Sequence, residues 1–135
     1  ASDIKAFAAF DAAAFGADRA SLLASFLADG RSSCAGSPRG DFAFGFARPG
    51  HLADYIGPVV ANNSAAAHAV VADLIRQSTA DKVAWDLLPD NAHAARLARS
   101  LGFQPVRTLT RMYLGDTMNP GNVAHTWAAA GFEFG

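Results

Sequence analysis

The sequence has little cysteine and no cluster of basic residues. Cys34 is the only cysteine among 135 residues, which excludes an intramolecular disulfide and a cysteine zinc site. We expect such a lone thiol to be a small buried hydrophobic residue rather than a nucleophile. The formal net charge is −1, and no run of Lys and Arg is present. Because nucleic-acid phosphates require clustered positive charge, we expect no nucleic-acid partner.

Long apolar runs are also missing from the chain. None approaches the roughly 20 residues that a membrane-spanning helix needs, and Asp3, Lys5 and Asp11 interrupt any signal-like run near the start. The four histidines are scattered, and no two of them stand at a spacing typical of metal ligands. These absences predict a soluble cytoplasmic protein with no membrane partner and no metal site.

The composition that remains is typical of a globular domain. Apolar residues make up 51% of the chain and charged residues 17%, which favours a folded core over disorder. We therefore predict one domain over residues 1–135. Apolar residues recur at helical spacing in residues 3–15, and Asp18 is placed to cap a second helix that ends at Gly30.

Phenylalanine alternates with alanine and glycine in the next segment. Phe42, Phe44 and Phe46 point one way in the predicted strand, where we expect them to pack on helices. The other face is bare, which lets a neighbouring group come close. Residues 52–61 predict the following strand, with Gly57–Pro58 in its middle. Because proline removes a ladder hydrogen bond, we expect either a bulged or unpaired stretch there, or an edge strand.

Residues 81–105 predict a strand, a turn and a helix. Apolar residues alternate at the start of this segment, as in a half-buried strand, and Pro89 ends the pairing. Asp90 or Asn91 can cap the first turn of the helix, and Gly102 suits a left-handed C-cap with Phe103 folded back behind it. The predicted apolar stripe of the helix consists of Ala94, Leu97, Ala98 and Leu101.

The chain ends in two shorter patterns. Residues 106–114 predict a further strand, with Arg107, Leu109, Arg111 and Tyr113 on one side. Pro120–Gly121 then breaks the chain. Residues 123–130 after this break predict a short helix or a strand.

Several of these motifs together resemble a known family. The pattern N-x-x-A-x-x-L-x-x-x-x-G-F, which begins at Asn91, is similar to a signature near the C-terminus of the GNAT superfamily of acyl-CoA N-acyltransferases. In chain order, the segments FDAAAFGADRASLL, IGPVVA, this signature, RMYLG and AGFEFG resemble the C-terminal GNAT-like domain of tandem acetyltransferases. The resemblance implies an α/β fold, with a mixed twisted sheet of about six strands and helices on both faces. The first strand of that fold is apparently missing, since residues 3–15 already predict the first helix.

The resemblance also implies a site for acetyl-CoA as co-substrate. In GNAT folds two strands splay at a bulge and the pantetheine arm lies in the gap, which would begin here at Gly57–Pro58. Backbone groups left unpaired there would bind pantetheine and polarise the thioester carbonyl. The next loop would hold the pyrophosphate at a helix N-terminus, although no arginine is near and a plain helix cap is the alternative. The predicted cofactor-binding residues are Val59, Val60, Ala61, Asn62, Asn63, Ser64, Ala65, Ala66, Ala67 and Asn91.

Acyl transfer to an amine also needs a base, because an alkylammonium with a pKa of about 10.4 must lose a proton before it attacks. The predicted catalytic residues are Asp54 and Asp86. The alternatives are a solvated carboxylate for Asp54 and a structural tie to the backbone for Asp86. Many GNAT enzymes carry a tyrosine where this chain has Ala98, so the thiolate would have to leave unaided.

We therefore expect an N-acetyltransferase that moves an acetyl group from acetyl-CoA to a primary amine of a small molecule or peptide. One alternative is a non-catalytic GNAT-like lobe that completes a substrate site or partner interface, and another is a binding module for a different ligand. The missing first strand leaves an open edge. We expect a second copy of the chain, a preceding domain of a longer parent chain, or the folded-back end of the chain to cover it.

Overall fold

A computed structural model describes residues 4–116 and 119–134 as helices packed on one sheet. The helices are α1 (Ile4–Phe15), α2 (Ala20–Asp29), α3 (Ser64–Gln77) and α4 (Ala92–Ser100). The strands are β1 (Arg31–Gly36), β2 (Phe42–Arg48), β3 (Asp54–Ala61), β4 (Val83–Trp85) and β5 (Thr126–Ala128). A 3₁₀ turn, Val123–His125, leads directly into β5. Residue 3, where the first helix was predicted to begin, lies outside the described residues.

The sheet is mixed. β1 pairs with β2 and β2 with β3 in antiparallel fashion, whereas β3 and β4 are parallel. β5 is antiparallel to β3. Because β2 occupies one edge of β3 along its length, β4 and β5 follow one another along the other edge. The predicted α/β class is confirmed, with five strands in the described part of the chain instead of about six.

The phenylalanine face of the sheet packs on α1 and α2, as predicted. Phe44 and Phe46 are fully buried. Phe7 of α1 stacks on Phe44 with ring centroids 4.9 Å apart, and Phe26 of α2 lies 6.1 Å from Phe46. Such aromatic pairs contribute about 0.5–1.5 kcal/mol beyond the area they bury. The alternation read from the sequence therefore places α1 and α2 on one side of the sheet.

The bare face of β2 receives α3. A Cβ added to Gly45 would lie 3.1 Å from both Val70 Cγ1 and Leu74 Cδ1 of α3, so the absent side chain is what lets this helix approach. Side chains of α4 belong to the same buried cluster as those of α3. The expected close neighbour is therefore a helix, and helices cover both faces of the sheet as predicted.

Gly57 and Pro58 form a bulge in the middle of β3. The register between β2 and β3 shifts there, so that the two residues stand opposite Phe46 alone. The Gly57–Pro58 peptide bond is cis. The predicted bulge is confirmed, and the edge-strand alternative is wrong because β3 pairs on both of its edges.

Residues 106–114 do not form the predicted strand. The segment is irregular, and its apolar side chains lie in solvent, with Val106 90% and Met112 84% exposed. A strand needs a neighbouring edge to bond its backbone groups. Beyond the bulge β5 already takes the edge of β3, and β4 offers only three residues. The predicted strand thus lacks an edge to pair with.

The helix caps agree with the sequence in most respects. Gly102 has φ +86° and Phe103 N donates to Ala98 O at 3.0 Å, the pattern of a left-handed C-cap. Phe103 folds back onto Trp85, with ring centroids 5.4 Å apart. Leu101 is an exception: it is 44% exposed, because it follows the last turn of α4 where the chain already turns away.

Two further expectations concern single residues. The Asp18 carboxylate accepts a hydrogen bond from Ala20 N at 2.8 Å at the start of α2, as a capping side chain does, although the residue directly before the helix is Arg19. Cys34 is exposed rather than buried. It lies on β1, opposite Phe44 of β2.

Candidate functional site

The candidate site lies where β3 and β4 part. The two strands pair in parallel from Asp54 to Ile56, opposite Val83 to Trp85. Beyond the bulge, the edge of β3 pairs with β5 instead, with Val59 opposite Ala128. The sequence predicted unpaired backbone groups at this place. That expectation is wrong, since β5 fills the gap and pairs with Val59 and Val60. Val59, Val60 and Ala61 are all buried.

β5 is held in the gap by its tryptophan and by a close approach of backbones. Trp127 is 2% exposed, and its carbonyl accepts a hydrogen bond from Trp85 Nε1 at 2.8 Å. The chain just after β5 passes so close to the bulge that a Cβ on Gly57 would lie 1.9 Å from Ala129 O. Gly57, at φ +150°, is therefore the residue that admits this segment.

Asn91 joins α4 to β5. Its side-chain oxygen accepts from Ala94 N at 3.0 Å, which caps α4. Its side-chain nitrogen donates to Thr126 O at 2.9 Å and to Ala124 O at 3.3 Å. The capping role predicted from the sequence is confirmed, and Asp90 is not the cap. The hydrogen bonds to Thr126 in β5 and to Ala124 just before it could not be predicted from the sequence, because they join positions more than 30 residues apart.

The loop between β3 and α3 has two asparagines with different roles. Asn62 accepts from Phe42 N at 2.8 Å and donates to Gly40 O at 2.9 Å, so it ties the loop to the β1–β2 turn. Asn63 caps α3 by accepting from Ala66 N at 3.0 Å. Ser64 and Ala65 are exposed at the helix start, whereas Ala67 is buried. The alternative of a helix cap is therefore correct for Asn63, and the coenzyme role of this loop stays a prediction.

A cavity of about 320 Å³ opens between α3 and α4, and we call it the α3–α4 cavity. It is lined by Ser64, His68, His93, Arg96, Leu97 and Ser100. Arg96 Nη2 lies 2.8 Å from His93 Nδ1. Because a guanidinium can only donate, His93 Nδ1 accepts and its Nε2 carries the ring proton. The cavity thus collects several hydrogen-bond donors and one fixed positive charge beside the N-terminus of α3, where anions are favoured.

Sequence reasoning missed these side chains. It found no arginine near the loop at residues 62–67, because Arg96 comes from α4, about 30 positions later. The spacing held a partial signal: Ser64 and His68 are four residues apart and His93 and Arg96 three apart, so each pair shares a helix face. That the two faces meet was decided by the packing of α3 and α4 on the sheet.

Asp86 follows β4 directly, at the point where the parallel pairing with β3 ends. Tyr55 Oη donates to Asp86 Oδ2 at 2.8 Å, and Asp86 O accepts from Ala129 N at 2.9 Å. Burial, and then the hydrogen bond to Asp86, raise the pKa of Tyr55 far above its usual value, so the phenol stays a donor. Asp86 is therefore held in place beside the segment that fills the gap.

Asp54 lies at the opposite end of the β3–β4 pairing and is buried. Its Oδ2 accepts from Ser78 Oγ and from Arg31 Nη2, both at 2.5 Å. The Ser78 hydrogen bond, assisted by Arg31, lowers the pKa of Asp54. The expected solvated carboxylate is wrong for this residue. The ionised carboxylate ties β1, β3 and the end of α3 together. The catalytic assignment of Asp54 stays a prediction.

Comparison with known families agrees with this architecture. A family model, described as an acetyltransferase (GNAT) domain, matches residues 7–126 of the chain. The chain therefore belongs to the GNAT acetyltransferase family. Comparisons with curated proteins and with solved structures give no significant match. The finer resemblance to the second domain of tandem acetyltransferases stays a prediction.

Two further properties concern residues 4–116 and 119–134. No three His, Cys, Asp or Glu side chains in these ranges come together as metal ligands would. None of the helices there has both the length and the apolar character that crossing a bilayer requires.

The candidate site suits the phosphates of acetyl-CoA but, in this structure, not its pantetheine arm. The α3–α4 cavity provides donors, positive charge and a helix N-terminus, which suit the phosphates. Of its lining residues only Leu97 is buried, so the α3–α4 cavity is an open groove on the surface. The gap between β3 and β4 does not fit the pantetheine arm while β5 fills it.

Proposed function

We propose that this domain is an acetyl-CoA-dependent N-acetyltransferase that acts on a primary amine. The observation that carries the proposal is the α3–α4 cavity, because it brings Arg96 and two histidines to the N-terminus of α3. Family membership supports the acyl-transfer class. The acceptor is a small molecule or a peptide in this proposal.

The phosphate groups of acetyl-CoA bind in the α3–α4 cavity. Arg96 supplies the charge, while His68 and His93 supply ring donors from the two facing helices. The first N–H groups of α3 have no acceptor within the helix, and Asn63 satisfies only that of Ala66. A phosphate at this end therefore gains backbone donors together with the positive end of the helix dipole.

The pantetheine arm requires β5 to leave the edge of β3. β5 has three residues and pairs with β3 at two positions, Val59 and Val60. When β5 withdraws, these residues present free backbone groups along the edge, which is the arrangement expected from the sequence. We infer that the present structure is the closed form of the site and that acetyl-CoA binds an open form.

Acetyl-CoA supplies the activated thioester when it is bound. Asp86 is the residue that takes the proton from the amine, because it stands at the mouth of the β3–β4 gap and Tyr55 fixes its carboxylate. Replacement of Asp86 by Asn should lower kcat by roughly 10²-fold and leave the affinity for acetyl-CoA unchanged. Steady-state kinetics on a primary amine together with calorimetric titration of acetyl-CoA would measure the two effects separately.

Binding is tested by titrating acetyl-CoA into the protein and following thermal unfolding and tryptophan emission. At 100 times its Kd, acetyl-CoA should stabilise the fold by about 2.7 kcal/mol. Trp127 is buried in the closed form, so the withdrawal of β5 should shift the emission to the red. No response up to millimolar acetyl-CoA would contradict the proposal and favour a non-catalytic lobe that serves a partner interface.

Two arginines of α4 provide a matched pair of variants. Arg96→Ala should weaken acetyl-CoA binding, whereas Arg99→Ala should not, because Arg99 does not line the α3–α4 cavity. S-Acetylpantetheine lacks the phosphates, so its affinity should be the same for both variants. Equal effects of the two substitutions on acetyl-CoA binding would show that the phosphates do not bind in this cavity. Whether the chain forms the expected homodimer is a separate question, which light scattering of the isolated chain addresses.

A further inference from the structure

The segment that follows β5 lies across the sheet, and we call residues 129–134 the strap. Ala129 N donates to Asp86 O, just after β4, at 2.9 Å. Ala130 is fully buried, and its carbonyl accepts a hydrogen bond from Arg48 Nη2 at the end of β2. Because β3 lies between β2 and β4 in the sheet, the strap spans the strand whose edge β5 occupies.

Arg48 is the side chain that holds the strap. Its guanidinium is half-buried and lies among three aromatic rings. The distance from Arg48 Cζ to the ring centroid is 4.2 Å for Phe26, 5.2 Å for Tyr55 and 5.3 Å for Phe134. The planar guanidinium is thus already oriented by ring contacts when it donates to Ala130 O. Hydrogen bonds from a charged donor are among the strong ones in proteins, so this bond contributes much of what fixes the strap.

The strap turns so that only one of its two phenylalanines reaches Arg48. Phe134 N donates to Gly131 O at 3.1 Å and closes a turn, with Gly131 at φ +147°. A Cβ on Gly131 would lie 3.3 Å from Arg48 Nη2, so the strap passes tightly over the arginine. Phe132 is 68% exposed and lies beside Arg107 instead. The two phenylalanines therefore differ in their contact with the arginine that holds the strap.

The strap restricts the movement of β5, because it continues that strand directly. β5 pairs with β3 at two positions only. Ala128, the last residue of β5, is two residues from Ala130, and two residues span at most about 7 Å. The end of β5 therefore stays near the edge of β3 for as long as Ala130 O is bound to Arg48.

We propose that Arg48 is an autoinhibitory latch, and that β5 withdraws from the edge of β3 only when the strap leaves Arg48. The inference rests on the proposed function, in which acetyl-CoA binds the open form. It adds a residue that sets the population of that form. Weakening the latch should raise the open fraction, and the apparent affinity for acetyl-CoA should rise by the same factor.

The test compares Arg48→Met with Arg76→Met in the whole chain. Arg76 is exposed on α3, where it pairs with Asp73. Hydrogen exchange of the Ala129 amide, measured by NMR without coenzyme, reports the opening of the strap. Arg48→Met should speed this exchange roughly 30-fold, as the loss of a hydrogen bond from a charged donor predicts. It should tighten acetyl-CoA binding by the same factor, whereas Arg76→Met should change neither quantity.

A second pair of variants keeps the test decisive where Arg48→Met does not fold. Phe134→Ala removes one ring from the Arg48 cluster and should speed exchange at Ala129 about fivefold. Phe132→Ala, in the same strap, should leave this exchange unchanged. In the native chain Ala129 should also exchange faster than the amides of β2, which pairs on both of its edges.

The outcomes separate the latch from the proposed function. Faster exchange at Ala129 without any binding of acetyl-CoA would leave Arg48 as the latch of β5 and contradict the proposed function. Faster exchange with an unchanged, measurable affinity for acetyl-CoA would overturn the autoinhibitory role. The latch itself would be overturned by unchanged exchange in Arg48→Met, by equal effects of the two phenylalanine substitutions, or by native exchange at Ala129 as slow as in β2.

Discussion

The two halves of β3 are held by different kinds of contact. Before the bulge, Asp54 joins β3 to β1 and to the end of α3 through Arg31 and Ser78, in addition to the pairing with β4. After the bulge, the outer edge pairs only with β5, a three-residue strand from the far end of the chain. The first half is thus tied by charge across several elements, whereas the second depends on one short segment. Local opening should therefore begin after the bulge, where the proposed substrate enters.

The largest expected effect comes from removing the side chain that keeps β5 in place. Trp127→Ala deletes a ring that is 2% exposed, and such truncations cost about 3–5 kcal/mol of unfolding free energy. Because the substitution destabilises the closed form relative to the open form that we propose binds acetyl-CoA, the affinity for acetyl-CoA should rise while the free energy of unfolding falls. Urea unfolding and acetyl-CoA titration of the variant measure the two quantities. A variant that is destabilised but binds acetyl-CoA no better would show that β5 does not block the site.

A smaller loss of stability is expected in the first half of β3. Asp54→Asn removes a buried charge from the contact with Arg31, whose side chain is 25% exposed and can still be partly hydrated. We therefore expect a loss of about 2–3 kcal/mol, below the full cost of breaking a buried ion pair. Acetyl-CoA affinity should not change. Improved affinity in this variant would mean that the two halves of β3 open together.

The same carboxylate predicts a dependence of stability on pH. The pKa of Asp54 in the folded state lies below the ordinary aspartate value of 3.8, so its contribution to stability is complete above that value and is lost as pH falls through the folded-state pKa. Asp73, whose pKa is lowered by Ser33 and then Arg76, adds to the same trend. The unfolding free energy of the native chain should therefore fall more steeply below pH 4 than that of Asp54→Asn. Parallel pH profiles would contradict this assignment.

The smallest effect separates two helix caps of the same residue type. Asn63→Ala removes only the cap of α3, for which we expect a loss of about 1 kcal/mol. Asn91→Ala removes the cap of α4 and two bonds to the carbonyls of Ala124 and Thr126, so about 2 kcal/mol should be lost. Only Asn91→Ala should speed hydrogen exchange at Trp127 and its neighbours. Equal exchange in both variants would show that Asn91 does not hold β5.

Much of the candidate site lay outside the reach of sequence reasoning for a physical reason. The cap at Asn91 and the bulge at Gly57–Pro58 are local, since each follows from the chemistry of a few adjacent residues. The position of Arg96 beside the N-terminus of α3 depends on how two helices pack. The family signature indicated the coenzyme but not that β5 occupies the edge of β3 where we propose that the pantetheine arm binds.

The sequence by itself determined the elements that local chemistry controls. Phenylalanine alternation set the face of β2 that α1 and α2 cover, Gly45 set the face that α3 approaches, and Gly102 ended α4. The tertiary structure alone decided which segment completes the sheet. Residues 106–114, for which the sequence predicts a strand, are irregular, whereas the shorter β5 pairs with β3. A strand exists only where an edge receives its backbone groups, and edges are formed by residues far apart in the chain.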